Sequence, residues 1–304
     1  MSRGDSGFIR PGYDGLEVPD APTVGTATAG GEEVSVTFTA PSDEGGSAIT
    51  GYGVVAVDGS GNSIAATGSS SPITVTGLTN GTSYTAKVWA INAYGPSEYS
   101  DASGSFTPEM QPGDAFEGGY YAGQISTTGN GVATHYLVVA PKSSGQSNGI
   151  QWKTTIGSDG TTSRIDGPGN TTTLSSATYP AANFCANLSI GGYSDWYMPA
   201  RDELEILYYN LKPGTSSNAT SNNSNTYAVP SRPSDYTSGT PAQTSATDFR
   251  SGNSEALTDG YYFWSSTESN NDAWDIYFIN GTQTAQFIKT SSTPNVRAVR
   301  RVAV

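Results

Sequence analysis

The 304-residue chain carries few side chains of the kinds that usually do chemistry. It has one His, His135, and one Cys, Cys185. His135 stands just ahead of an apolar run beginning at Tyr136, with no Ser-Gly elbow nearby, so a Ser-His-Asp site has little support. A single Cys excludes an intrachain disulfide and a cysteine zinc site. Cys185 falls on the apolar side of an expected helix, where a buried, inert thiol is the natural reading. Asp202, Glu203 and Glu205 lie close together. Paired carboxylates are the equipment of glycoside hydrolysis, but acids in the first turn of a helix also favour its dipole without any catalytic role. Arg297, Arg300 and Arg301 are suited either to an anionic sugar or to holding a closing strand in place. The run Ser269-Asn-Asn-Asp272 has enough oxygen to wrap a calcium ion, although such loops are common in this composition. Calcium is the only cofactor left open, no catalytic residue is assigned, and the chain is expected not to be an enzyme.

The segment that points most directly to recognition is Thr215 to Thr258, some 44 residues of Ser, Thr, Asn, Gly and Pro. Tyr227, Tyr236 and Phe249 are interleaved in it. Loops of this length without structure of their own are usually functional or disordered. Rigid aromatics among small hydrogen-bonding residues are also the composition of adaptable binding loops. The segment is therefore expected to form a ligand-binding face, with Trp264 or Trp274 at its base.

These candidates need a scaffold, and composition restricts it. Only 13% of residues are charged, Gly numbers 37, and 27 acids against 14 bases give a net charge of −13. That profile suits short strands and polar uncharged loops rather than helical bundles. Excess negative charge argues against a nucleic-acid partner, which needs clustered Lys and Arg. No run of 18 apolar residues exists, so no membrane insertion by a helix is expected. The length suits two domains.

From residue 18 to 108, Val34, Val36 and Phe38 alternate with polar residues, as do Tyr84, Ala86, Val88 and Ala90. Strands recur every 8–12 residues, which indicates an antiparallel sandwich. More than half of the excess negative charge lies here, with Asp20, Glu32, Glu33, Asp43, Glu44, Asp58, Glu98 and Asp101 set against Lys87 alone. From 109 to 304 a mixed α and β domain is expected. Its strands fall at Tyr120–Ile125, Tyr136–Pro141, Tyr261–Trp264, Trp274–Phe278, Ala285–Lys289 and Val296–Val302. Ala181, Phe184, Cys185 and Leu188 predict a helix over about Pro180–Leu188. Leu204, Leu207, Tyr208 and Leu211 predict another over Arg201–Leu211.

Two resemblances follow. Leu78, Gly81, Thr82 and Tyr84, then Asn92–Gly95 with Ser97 and Ser100, make residues 18–108 resemble a fibronectin type III domain, an immunoglobulin-like sandwich. The resemblance implies that Tyr84 makes a tyrosine corner, that Phe38 stands where many members carry a core Trp, and that the domain is a spacer or weak binding module. Gly118-Gly119, Tyr136–Pro141, Gly192–Pro199, Asp202–Leu204, Phe263–Glu268, Asn280-Gly281 and Val296–Arg300 occur in the order of the Lcl C-terminal (DUF1566) family. This second resemblance covers 109–304 and implies an α+β, C-type lectin-like fold whose long loops form one exposed face. Ala200 departs from the family's usual Ser or Thr, leaving only the Glu203 half of a capping box. The paired cysteines of the related formylglycine-generating enzymes are absent, as are the sugar-plus-calcium tripeptides of sugar-binding lectins.

The resemblances imply a non-enzymatic bacteriophage virion protein, a tail fibre or receptor-binding protein. It would be made in the host cytoplasm and work outside it, since Met1–Arg10 lacks the apolar core of an export signal. Residues 1–17, with Phe8, Ile9 and Tyr13 among glycines, are expected to dock on other virion proteins. The C-terminal domain would meet a host surface glycan or protein. Fibres are commonly trimers, so a homo-oligomer is expected, although no heptad encodes one. The alternatives are a structural component of tail, neck or capsid, and a bacterial surface adhesin.

Overall fold

The structure is a computed structural model that describes residues 16–257 and 262–304. The expected docking arm at 1–17 thus lies, apart from Leu16 and Glu17, outside the described residues. The chain divides into two compact units, Met1–Met110 and Gln111–Val304.

The first unit is a sandwich. β1 (Thr23–Ala29), β2 (Glu33–Thr39) and β5 (Ile73–Thr76) form one sheet in the order β1-β2-β5. β3 (Gly51–Asp58), β4 (Ser63–Gly68), β6 (Tyr84–Asn92) and β7 (Gly95–Pro96) form the other, ordered β4-β3-β6-β7. Every second side chain points inward, as strand geometry requires. Val34 pairs with Val75 and Val36 with Ile73 on one sheet, while Val54 pairs with Val88 and Ala56 with Ala86 on the other. All eight are buried and share one core. Phe38 sits half-buried at the margin of that core, its ring 4.7 Å from Tyr52. The Tyr84 hydroxyl accepts a hydrogen bond from the Thr79 amide at 3.1 Å, which closes the tyrosine corner.

After β7 the last strand is replaced by a serine ladder. The amides of Ser97, Ser100 and Ser103 donate to the carbonyls of Ala90, Val88 and Ala86. In return the amides of Ala90, Val88 and Ala86 each donate to the Oγ of the same serine, at 2.9 Å. A hydroxyl every third residue therefore meets β6 every second residue, and the edge of the sheet is satisfied without a regular strand. Replacing Ser100 by Ala leaves the buried Val88 amide without an acceptor. The expected cost is ~1–3 kcal/mol in a urea unfolding curve of the full chain.

The second unit is built around a five-stranded antiparallel sheet. β9 (Gly119–Ile125) pairs with β10 (His135–Val139), and β10 pairs with the final strand β17 (Val299–Ala303). The short strands β8 (Ala115–Phe116) and β12 (Ala228–Val229) both join the other edge of β9. A second sheet of β13 (Tyr262–Ser269), β14 (Asp272–Tyr277) and β15 (Thr282–Thr284) runs in that order. A minimal ladder joins β11 (Gln146–Ser147) to β16 (Val296–Arg297). The helices are α1 (Lys142–Gly145), α2 (Gly167–Thr173), α3 (Pro180–Ala186) and α4 (Arg201–Leu211).

Several elements differ from expectation for identifiable reasons. The closing strand is broken in two at Ala298, because its first part pairs with β11 and its second with β10. Ala285–Lys289 is not a strand; after β15 the chain turns back over the sheet, with Phe287 packing on Tyr262 at 4.9 Å and on Trp264 at 6.1 Å. α2 has no apolar periodicity to announce it. It starts because Asp166 accepts from the Gly169 amide at 3.0 Å and Pro168 stands in the first turn. Its buried side is Gly167, Asn170 and Thr171.

Asp275, in the middle strand of the β13-β14-β15 sheet, is fully buried. It accepts from the Thr284 hydroxyl at 2.9 Å, while its Oδ2 has no partner among the described residues. Burial raises its pKa from 3.8 to about 7. The folded state therefore holds a proton that the unfolded state has released across that interval, so stability falls as pH rises from about 4 to about 7. Asp275→Asn is expected to flatten this slope, read as unfolding midpoints measured across that range.

Candidate functional site

The first turn of α4 is where the second unit converges. Arg201, Asp202, Glu203 and Glu205 are all buried, although charged residues seldom are. Each of the three acids has its own arginine from a distant segment. Asp202 takes Arg164 at 2.8 Å, Glu203 takes Arg301 at 2.7 Å, and Glu205 takes Arg232. Glu203 also accepts from the Tyr197 hydroxyl at 2.5 Å and the Ala200 amide at 2.8 Å. That second bond is the Glu half of a capping box; the Ala200 methyl cannot accept a bond to complete the other half. The Arg201 amide is instead capped across the fold by the Thr267 hydroxyl at 3.0 Å, and the Asp202 amide by the Arg164 carbonyl at 2.8 Å. The Arg201 guanidinium lies 3.8 Å from the centre of the Trp274 ring and donates to Gln283 and the Asn222 carbonyl.

Burial raises Asp202 to about 6 despite Arg164, and raises Glu203 despite Arg301. It lowers Arg201 to about 10. This pattern is that of charges locked into a protein interior. Arg297 and Arg300 do the same work elsewhere, through Glu255 at 2.7 Å and Asp195 at 2.7 Å. None of the three closing-strand arginines stands free for an anionic ligand.

The segment after α4 wraps it rather than projecting from it, and this corrects the expectation of a ring-lined recognition loop. Asn218 accepts from the Tyr208 hydroxyl at 2.6 Å and the buried Lys212 ammonium at 2.7 Å. Asn225 donates to Glu205 at 2.6 Å. Tyr236 is buried against Tyr208 and Tyr209, and its hydroxyl donates to Glu205. Phe249 is fully buried against Tyr120, and Trp264 is fully buried with its indole N–H donating to the Ile150 carbonyl at 2.8 Å. Tyr227 is half-buried, with its ring over Gly129, and Trp274 is half-buried under Arg201. The five rings do not converge. Tyr236 and Phe249 belong to one core cluster with Tyr227 packed against it, Trp264 belongs to another, and Trp274 lies under Arg201. The physical reason is that polar Asn, Tyr and Arg side chains in this segment answer the buried charges of α4. Gly281 makes the close packing feasible: with φ +74°, it lies where a Cβ would meet the Tyr208 ring at 2.4 Å.

Ser269–Asp272 closes the β13–β14 hairpin, with Asn270 at φ +56°. Among the described residues no three His, Cys, Asp or Glu side chains gather as a metal-ligand set. Cys185 is buried, and burial pushes its thiol up.

Among the described residues an open groove of about 850 Å³ lies between α2, α3 and the ends of β10 and β17. Its walls include His135, Asp166, Thr172, Asn183, Asn187 and Arg301. Gly167 lets α2 approach this closely, since a Cβ there would meet Glu203 Oε2 at 2.2 Å. Arg301 is already neutralised by Glu203, and burial together with the Arg301 charge lowers the pKa of His135. The groove therefore presents hydroxyl, amide and imidazole groups with little unbalanced charge besides Asp166. Sequence reasoning missed it because its walls come from five separate segments, one of them the unannounced α2.

Residues 144–300 match the Lcl C-terminal domain family, and the chain belongs to that family; residues 20–105 match the fibronectin type III domain. Strands β8 to β10 of the five-stranded sheet precede the first of these matched segments. Among solved structures, the chain is similar to titin kinase and its flanking domains (30% identity, 31% of this chain and 18% of that one, TM-score 0.27). It is also similar to the twitchin kinase region from C. elegans (24%, 31% and 17%, 0.26) and to the FN5 domain of Drosophila Lar (25%, 30% and 99%, 0.26). The chain thus spans less than a fifth of the titin and twitchin structures. No curated protein matches it. The two domains suggest a surface or extracellular protein.

Arg232→Leu removes the counter-charge of the buried Glu205 carboxylate, which keeps only its bonds from Asn225 and Tyr236, and is expected to cost ~3–5 kcal/mol. The double variant with Glu205→Leu is expected to regain only part of that loss, because it leaves the buried Tyr236 hydroxyl without its acceptor, and thermal unfolding of both chains checks it.

Proposed function

We propose that this chain is a bacteriophage tail-fibre or receptor-binding protein that acts by binding, without catalysis. The fibronectin type III domain serves as spacer, the N-terminal segment docks on the particle, and the C-terminal domain, with a C-type lectin-like fold, contacts a glycan on the host surface. The lectin-like reading is supported by β10 and β17, which bring the two ends of the domain together as neighbouring strands. The non-enzymatic reading is supported by the acids of α4, each held by an arginine rather than facing an opening.

The observation that carries the binding reading is the groove between α2 and α3. Carbohydrates are recognised by sites dense in neutral donors and acceptors, and the groove offers these from Thr172, Asn183, Asn187 and His135. Its volume is within the range of small-ligand sites, roughly 300–1,000 Å³.

Asn187 is exposed, so Asn187→Trp fills the groove without touching the core. Binding of the labelled full chain to immobilised bacterial surface polysaccharides is expected to fall at least about tenfold, roughly 1.4 kcal/mol. Unchanged binding would remove the groove from the mechanism. Mass spectrometry of purified particles is expected to find the chain in the virion, and its absence there would overturn the tail-fibre assignment.

A further inference from the structure

A second buried constellation lies away from the groove and has no part in the binding proposed above. Lys289 is fully buried, and its ammonium donates to Glu268 Oε2 at 2.7 Å, the Gly157 carbonyl at 2.8 Å, the Asn270 carbonyl at 3.1 Å and Asp159 Oδ2 at 3.3 Å. It also lies 4.6 Å from the centre of the Trp152 ring. The other oxygen of Asp159 accepts from the Lys153 ammonium at 2.6 Å and the Tyr179 hydroxyl at 2.8 Å. Glu268 holds this loop in place, accepting from the amides of Asp159 at 2.7 Å and Gly160 at 2.8 Å and from the Ser158 hydroxyl. The side chains of Lys153, Asp159, Glu268 and Lys289 are each at least nine-tenths buried.

Two lysines and two carboxylates are more than a single loop anchor needs. The arrangement supplies an amine, a carboxyl carbon beside it, a carboxylate touching the amine, and two donors on the far carboxyl oxygen, all largely withdrawn from water. Burial opposes ionisation of Asp159, but the hydrogen bonds from Lys153, Tyr179 and Lys289 hold it below its ordinary value. The resting form is therefore an ion pair, and a condensation must begin with proton transfer inside it.

We infer that Lys289 and Asp159 form an intramolecular isopeptide bond, with Glu268 as the proton carrier and Lys153 and Tyr179 as the oxyanion donors. One proton passes from Lys289 Nζ to Asp159 Oδ2, giving a neutral amine and a neutral acid. Nζ then attacks Cγ, and the negative charge that develops on Oδ1 is met by Lys153 and Tyr179. Glu268 takes a second proton from Nζ and delivers it to the Oδ2 hydroxyl, which leaves as water. The new C–N bond is an amide that keeps the third proton. One cation and one anion are consumed, so Lys153 and Glu268 remain as a balanced pair. Exclusion of water favours the amide over its hydrolysis, and the contacts hold the reacting groups near one another before reaction. The bond ties segments 130 positions apart, which suits a protein exposed to force and proteases.

The test is the intact mass of the full chain, denatured after incubation at neutral pH. The expected mass is one water below that of the sequence. Trypsin is expected to skip Lys289 and to release a branched peptide joining the segments that hold Asp159 and Lys289. Because Asp159 precedes Gly160, a succinimide would give the same deficit. It would persist in Lys289→Arg and open with hydroxylamine, whereas the isopeptide disappears in Lys289→Arg and resists hydroxylamine. Glu268→Gln is expected to abolish or greatly slow the deficit. Peptide mapping of the unaltered chain decides the matter even if a variant fails to fold. A full sequence mass, or a deficit without the branched peptide, overturns the inference.

Discussion

The second domain depends on how the first turn of α4 is kept inside it. Arg201, Asp202, Glu203 and Glu205 are buried on a helix that contacts both sheets, and each buried carboxylate left without its partner would cost the domain ~3–5 kcal/mol. The solution is three arginines drawn from the α1–α2 connection, the long loop and the last strand. Each pair fixes one segment against the helix. The family motifs Gly192–Pro199, Asp202–Leu204 and Phe263–Glu268 are distant in sequence yet meet here, joined by Arg301, which directly follows the Val296–Arg300 motif. Ser266 bonds to Pro199, Thr267 caps Arg201, and Arg301 reaches Glu203.

This arrangement explains why a domain so poor in charge places much of it in the interior. Asp159, Glu268, Lys153 and Lys289 form one buried group, and Arg297 with Glu255 another. Loops rich in Ser, Gly and Asn have little apolar surface with which to anchor themselves. Hydrogen bonds to buried ions, each stronger than a neutral one, take over that task. Asn218, Asn223 and Asn225 serve the same end in the segment after α4, whose polar composition reflects inward bonding. The same pairing fixes the three acids of α4 in place, while the groove beside α2 and α3 stays open at the surface.

Much of the scaffold was legible in the chain. The alternation of Val34, Val36, Val54 and Val88, and the Leu78–Tyr84 run, mark the sandwich because one buried face per strand imposes a period of two. The stripe of Leu204, Leu207, Tyr208 and Leu211 placed α4 at Arg201–Leu211, as observed. Less legible was whatever depends on partners remote in sequence. α2 was hidden because its packing side is Gly167, Asn170 and Thr171, and the break at Ala298 because only pairing with two different strands produces it.

The rings of Tyr236, Phe249 and Trp264 mark the same boundary for the candidate site. Aromatic residues among small polar ones look alike whether they face a ligand or a neighbouring helix, since composition records surface chemistry and not direction. The sequence alone determined the two domains, their family resemblance, the shortage of catalytic groups and the place of α4, because local periodicity and spacing carry that information. Only the tertiary structure decided that the acids of α4 answer arginines, that the long loop folds inward, and that Lys289 meets Asp159 and Glu268. Those outcomes rest on charge pairing between segments some 20 to 130 positions apart, which no local pattern encodes.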